Sequence, residues 1–121
     1  MMVLDASAVL AFLQGEDGAD QVAGALAAGA LTGAANWAEV AQKVVARGND
    51  WSLSRGVLES FGLLVEPVTQ ADAERAAARW PSDRHLSLGD RLCLALADRL
   101  DVEVLTADRA WGSDAPVRQI R

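Results

Sequence analysis

The stretch Met2-Val3-Leu4-Asp5-Ala6-Ser7-Ala8-Val9-Leu10-Ala11-Phe12-Leu13 decides the reading of the fold. Residues 2–5 are short, apolar and closed by an acid, which predicts a buried strand. Residues 7–13 read as a helix that follows it directly. Outward from this start the alternation continues. Gly15-Glu16-Asp17-Gly18 is a turn, residues 19–28 are an alanine-rich helix, and residues 30–33 are a short second strand. Residues 36–47 place Val40, Ala41, Val44 and Val45 at helical spacing, until Gly48-Asn49-Asp50 breaks the helix. Residues 51–61 form a further helix with Val57, Leu58 and Phe61 on one side, and residues 63–65 a third strand closed by Pro67. Thr69 caps a helix that runs to about Trp80 and is ended by Pro81. Ser87 caps a strongly apolar helix to about Leu100, with Leu88, Leu92, Leu96 and Leu100 on a shared face. Residues 103–105 and 117–120 supply a fourth and a fifth strand. Strands alternating with helices predict an α/β fold with a mainly parallel sheet of four to five strands, covered on both faces. No linker divides the chain, so a single domain over residues 1–121 is expected.

Composition narrows the function classes. The chain is 51% hydrophobic and 23% charged, the balance of an ordinary globular protein with one sizeable core. Its one cysteine, Cys93, lies in the apolar run Leu92-Cys93-Leu94-Ala95-Leu96-Ala97 and reads as a small core residue rather than a nucleophile. The start Met1-Met2-Val3-Leu4-Asp5 is not that of a cleavable leader, and no uncharged run is long enough to span a membrane. A reducing cytoplasm is the expected location. The net charge of −6, from 11 basic and 17 acidic residues, opposes contact with a phosphate backbone unless divalent cations offset it. Ten of the basic residues are arginines, which suit phosphate recognition, and the acidity also suits a basic partner docking into an acidic pocket.

Four acids stand at positions that an α/β fold makes special. Asp5 ends the first strand and Asp108 follows the fourth, so both are expected at the carboxyl edge, where open α/β sheets bind ligands. Glu39 lies three residues after Asn36, and Asp90 three after Ser87, the spacing of a capping box. Each acid alone has this ordinary explanation, which contributes about 0.3–1 kcal/mol through the helix dipole. Together they suggest a carboxylate cluster, because helices that follow strands begin at the edge where the strands end. Converging acids repel one another unless a cation joins them. Oxygen-only donors suit Mg²⁺ or Mn²⁺, and no His/Cys set argues for zinc. Such an ion acidifies a water and neutralises charge developing on a phosphodiester, so no side-chain nucleophile is required. Ser7 and Thr106 can position such groups, although an N-cap and a strand-end hydroxyl are equally good readings of them.

Other chemistries find little support. His85-Leu86-Ser87-Leu88-Gly89 is half of a serine-hydrolase elbow, but its first glycine is replaced by the only histidine, which leaves no base. There is no Gly-x-Gly-x-x-Gly, and the single lysine, Lys43, follows no phosphate-binding loop. Asp5-Ala6-Ser7 lacks the nearby second acid of aspartyl-phosphate enzymes.

Four segments occur in a telling order: Val3-Leu4-Asp5-Ala6-Ser7-Ala8, Asn36-Trp37-Ala38-Glu39-Val40, residues 86–97 around Ser87-Leu88-Gly89-Asp90-Arg91, and Leu105-Thr106-Ala107-Asp108-Arg109-Ala110-Trp111. Together they resemble PIN domains, and among these the VapC-type toxins of toxin–antitoxin pairs. The Ser-Leu-Gly-Asp-Arg segment is the most specific, and residues 48–78 are the least family-like. The resemblance implies an α/β/α sandwich and a Mg²⁺- or Mn²⁺-dependent endoribonuclease acting on RNA. It places Asp5, Glu39, Asp90 and Asp108 on the family's acidic, metal-binding positions. It further implies a homodimer silenced by a VapB-like antitoxin whose tail enters the acidic groove with a basic side chain. Arg91 and Arg109, each directly after an acid, read as phosphate contacts, as salt-bridge partners or as ordinary surface arginines. Arg84 and His85 read as a solvated loop that can touch RNA. Trp37, Trp51, Trp80 and Trp111 can stack bases, but core packing is the stronger reading for Trp37 and Trp111. Trp51 with Val57, Leu58 and Phe61 reads as core or as part of an interface. The alternative to a nuclease is a catalytically silent module of the same fold that docks an antitoxin-like peptide.

Overall fold

Met2, Val3 and Leu4 are extended and alternate in direction, as side chains on a strand must. Val3 faces one side of the sheet with Leu31, Val104 and Val117, while Leu4 faces the other with Ala30 and Leu105. A computed structural model describes residues 1–121. In chain order the elements are β1 (Met2–Leu4), α1 (Ala6–Gln14), α2 (Ala19–Ala28), β2 (Ala30–Gly33), α3 (Ala34–Ala46), α4 (Trp51–Ser60), β3 (Leu64–Glu66), α5 (Gln70–Ala78), α6 (Leu88–Leu100), β4 (Val104–Thr106) and β5 (Val117–Gln119). A short 3₁₀ turn, Arg109–Trp111, lies between β4 and β5.

The sheet has the order β3-β2-β1-β4-β5, and every neighbouring pair is parallel. The expected mainly parallel five-stranded α/β fold is therefore present, with six helices around it. Chain order reverses at β1, whose neighbours are β2 on one side and β4 on the other. The crevice outside the carboxyl ends at such a reversal is where open α/β sheets bind ligands. On the Leu4 face, α1, α2 and α3 bury Val9, Leu10, Val22, Leu26, Val40 and Val44. On the Val3 face, α6 buries Cys93, Leu94, Leu96 and Ala97. Each of these valines and leucines contributes about 1.5–3 kcal/mol by leaving water. The chain end closes against a turn: Gly18 has φ +92°, and a Cβ there would stand 2.7 Å from Ile120.

Three local expectations need correction. α3 starts at Ala34 with Gly33 as its N-cap, so Asn36 is the third helical residue and not the cap. Strand β2 runs straight into this helix, and the turn leaves no separate capping residue. Glu39 therefore lies in the second turn, outside any capping box. On α6 the buried face is Arg91 with the run from Cys93 to Ala97, whereas Leu88 is 57% exposed. The helix is packed between the sheet and α5, so burial follows its middle rather than one leucine row. Finally, β3 is an edge strand on which Leu64 and Val65 remain exposed, so the sheet is not fully covered.

Candidate active site

Asp5 follows the last residue of β1 and is the N-cap of α1, in extended backbone geometry. Its Oδ1 accepts from the Ala8 N–H at 2.8 Å, the expected capping bond. Ser7 Oγ donates to the same carboxylate, 2.7 Å from Oδ1 and 2.9 Å from Oδ2. Thr106 Oγ1, at the end of β4, donates to Oδ2 at 2.6 Å. A hydroxyl has one proton, and both protons here go to Asp5. The hydroxyl oxygens accept in turn: Ser7 Oγ from the Ala107 N–H at 2.9 Å, and Thr106 Oγ1 from the Asp108 N–H at 3.0 Å. Ser7 and Thr106 thus bind the ends of β1 and β4 together at the point where chain order reverses. The Thr32 hydroxyl adds a bond to the Leu4 carbonyl at 2.7 Å from the other flank.

Burial pushes the Asp5 carboxyl up to about 6, against the bonds from Thr106, Ala8 and Ser7 that favour its charged form, and the Asp90 carboxylate pushes in the same direction as burial. Asp90 is in the first turn of α6. The capping box is present as expected: the Ser87 N–H donates to Asp90 Oδ2, and the Asp90 N–H to Ser87 Oγ, both at 3.1 Å. Glu39 is partly exposed and its carboxylate stands 3.6 Å from Lys43 Nζ. The buried Cys93 thiol lies within the field of these acids. Its pKa is raised by burial, then by Asp5, Asp90 and Glu39 together. The thiol therefore feels the charge of three of the four acids and stays protonated and inert, as a core cysteine should.

Asp108 joins through its backbone only. Its carboxylate is exposed and caps the 3₁₀ turn, accepting from the Ala110 N–H at 2.9 Å. As the side chains stand, no three acidic, histidine or cysteine groups are close enough to form a ready-made metal site. An open groove of about 600 Å³ lined by Met2, Gln21, Gly24, Ala25 and Leu105 contains none of the four acids.

Asn36 is not the cap of α3, and its position gives it another task. It is 2% exposed, and its Nδ2 donates to the Gly89 carbonyl at 3.2 Å. This bond joins the first turns of α3 and α6, the helices carrying Glu39 and Asp90. Its Oδ1 is buried without a hydrogen-bond partner. Such an orphan acceptor costs about 1–3 kcal/mol and is uncommon. Arg91 is turned away from solvent: it is 8% exposed and donates to the Ala76 carbonyl at 2.8 Å, which fixes α5 on α6. Arg109 is exposed beside Asp108 and has no carboxylate partner. Trp111 is buried, and Trp37 packs edge-on against Trp51 at a centroid distance of 4.9 Å, so both pack rather than stack bases.

A PIN domain family model matches residues 2–113. The chain belongs to the PIN domain family. Solved structures agree on the fold of this PIN domain. A chain of a toxin–antitoxin complex from Klebsiella pneumoniae superposes with TM-score 0.81 at 21% identity, over 100% of this chain and 98% of that one. A chain of VapBC2 from Rickettsia felis, bound to a DNA fragment from their promoter, gives TM-score 0.73 at 12% identity, over 98% and 97%. At these identities the likeness is one of fold. Comparison with curated proteins gives no match. PIN domains generally use divalent metals, and the donors present here fit one. Asp5, Glu39, Asp90 and Asp108 offer only hard carboxylate oxygens, and the one nearby sulfur is a protonated, buried thiol. Burial, with a smaller push from Asp90, raises the Asp5 pKa, and a bound cation would favour the ionised carboxylate.

Proposed function

We propose that this PIN domain is a Mg²⁺- or Mn²⁺-dependent endoribonuclease, the VapC-type toxin of a toxin–antitoxin pair, formed by one domain over residues 1–121. The observation that carries the reading is the carboxylate of Asp5, buried at the β1/β4 reversal and aimed by two hydroxyls, beside helices α3 and α6 that Asn36 ties together at their acid-bearing ends. PIN domains are typically nucleases, which supports phosphodiester hydrolysis.

Asp5, Glu39, Asp90 and Asp108 would hold the metal, which when bound supplies an acidified water and neutralises charge on the phosphodiester. The chain's own groups do the positioning. Ser7 and Thr106 fix the orientation of Asp5 and favour its ionised form. Ser87 fixes Asp90 through Oδ2 and leaves Oδ1 unbonded. Asn36 sets the separation of α3 and α6, and with it that of Glu39 and Asp90. Arg109, exposed and unpaired beside Asp108, binds a substrate phosphate.

An antitoxin with a basic tail suits the same acidic edge, and the two similar folds come from structures named as toxin–antitoxin complexes. The exposed apolar side chains Leu53 and Val57 of α4, Phe61 at its C-cap, and Leu64 and Val65 of β3 would serve self-association as a homodimer. No helix is long and apolar enough to cross a membrane, and a lone buried thiol suits a reducing cytoplasm.

Purified protein should cleave RNA with Mg²⁺ or Mn²⁺, and EDTA should stop it. The panel must contain structured tRNA and rRNA, because a toxin's target can be narrow. Metal-loaded protein that cleaves nothing in that panel, yet binds a basic antitoxin-like peptide, would establish the silent module instead.

A further inference from the structure

The loop between α5 and α6 carries a feature that the acidic cluster does not use. Trp80 is 48% exposed, whereas Trp111 is 8% exposed and Trp37 and Trp51 pack on each other. The Arg84 guanidinium lies over the Trp80 ring, 4.4 Å from its centroid. The loop beneath them is hydrogen-bonded: the Asp83 N–H donates to the Arg79 carbonyl and the Leu86 N–H to the Asp83 carbonyl, both at 2.9 Å, and Leu86 is buried. Arg84 precedes Ser87, the N-cap of the helix carrying Asp90, by three residues.

Charge makes this pair unusual. Arg55, Arg75, Arg79, Arg99 and Arg118 are each held by a carboxylate, and Arg91 is buried. Arg84, like Arg47, Arg109 and Arg121, has no acidic partner on a chain with net charge −6, and of these four it is the one stacked on an aromatic ring. A cation without a carboxylate partner, stacked on one face of a half-exposed indole, offers two things side by side: the remaining exposed indole surface for a flat base and a positive charge for a phosphate. A protein partner would call for contiguous apolar area, and Trp80 is the only large exposed apolar residue of the loop over residues 79–87.

We propose that Trp80 and Arg84 form a docking platform for an unpaired nucleotide of single-stranded RNA, with the base on the indole and the adjacent phosphate on the guanidinium. The choice of RNA rests on the nuclease reading above. The platform holds a flanking nucleotide, so it selects unpaired segments without taking part in bond cleavage.

The test measures binding in EDTA, where no cleavage occurs, by fluorescence anisotropy with short single-stranded RNA oligonucleotides of mixed sequence. Trp80→Ala should weaken binding on the order of tenfold, and Trp80→Phe, which keeps a ring, should lose much less. Arg84→Ala should weaken binding and lower the salt dependence by about one counterion. Because both side chains are at the surface, circular dichroism of the variants should match the native protein. Native-like binding by both Trp80→Ala and Arg84→Ala would overturn the platform alone and leave the nuclease reading standing. Native protein that neither binds these oligonucleotides in EDTA nor cleaves the RNA panel with metal would overturn both.

Discussion

The Thr106 hydroxyl donates to Asp5 Oδ2 at 2.6 Å and joins the ends of two strands that lie 101 residues apart in the chain. A bond to a charged group contributes about 1.5–3 kcal/mol. Thr106→Val keeps the shape and removes the donor. Urea unfolding near neutral pH should show a loss of that order, and RNA cleavage should fall with it. At about pH 4, where Asp5 is protonated, the loss should be smaller.

Asp5 gives the metal-free protein an unusual pH dependence. Its folded pKa of about 6 is above the ordinary 3.8, so the folded state holds the proton more tightly than the unfolded chain. The resulting stability is full below 3.8 and is lost as pH rises through about 6. A shift of that size corresponds to about 3 kcal/mol. Asp72 has the opposite sign: burial raises it, but the Arg99 and Thr69 bonds outweigh burial and lower its pKa. Its stabilisation is lost as pH falls below the ordinary value and lies outside the Asp5 window. Thermal melts in EDTA should therefore show stability falling across this range for native protein and nearly flat for Asp5→Asn.

Asn36 separates stability from function. Asn36→Leu removes one hydrogen bond and one buried orphan oxygen, so unfolding free energy should change by no more than about 1 kcal/mol. The tie between α3 and α6 is lost, and Glu39 and Asp90 are freed to separate. Mn²⁺ affinity should fall while the melting temperature of the metal-free protein barely moves.

The two arginines that follow candidate site acids, Arg91 after Asp90 and Arg109 after Asp108, should behave differently. Arg91→Met removes a buried bond to the Ala76 carbonyl and should cost about 2–3 kcal/mol of stability. Arg109→Ala, at an exposed position, should leave stability within about 0.5 kcal/mol and weaken RNA binding. Equilibrium unfolding and anisotropy in EDTA distinguish them.

Much of this was legible in the residues themselves. The run from Met2 to Asp5 shows a strand ending at an acid, and Ser87-Leu88-Gly89-Asp90 shows a capping box, because both signals are local in the chain. Asn36 misled because Asn-x-x-Glu has capping spacing, whereas Gly33 starts the helix and Asn36 bonds 53 residues away. Arg91 looked like a surface arginine because nothing local announces that α5 covers it. The leucine row on α6 misled because burial there is decided by what packs on the helix from two sides. The aiming of Asp5 by Thr106 and the exposure of Trp80 are tertiary facts that no short pattern encodes.

The central claim is that Asp5, Glu39 and Asp90, with Asp108, hold one divalent cation site at the β1/β4 reversal. Mn²⁺ titration followed by electron paramagnetic resonance tests it on the native chain and on Asp5→Asn, Glu39→Gln, Asp90→Asn and Asp108→Asn. The account predicts saturable binding to the native protein and weaker binding to every variant, greatest in loss for Asp5→Asn. Native protein that binds no Mn²⁺, or variants that all bind it with native affinity, would contradict it.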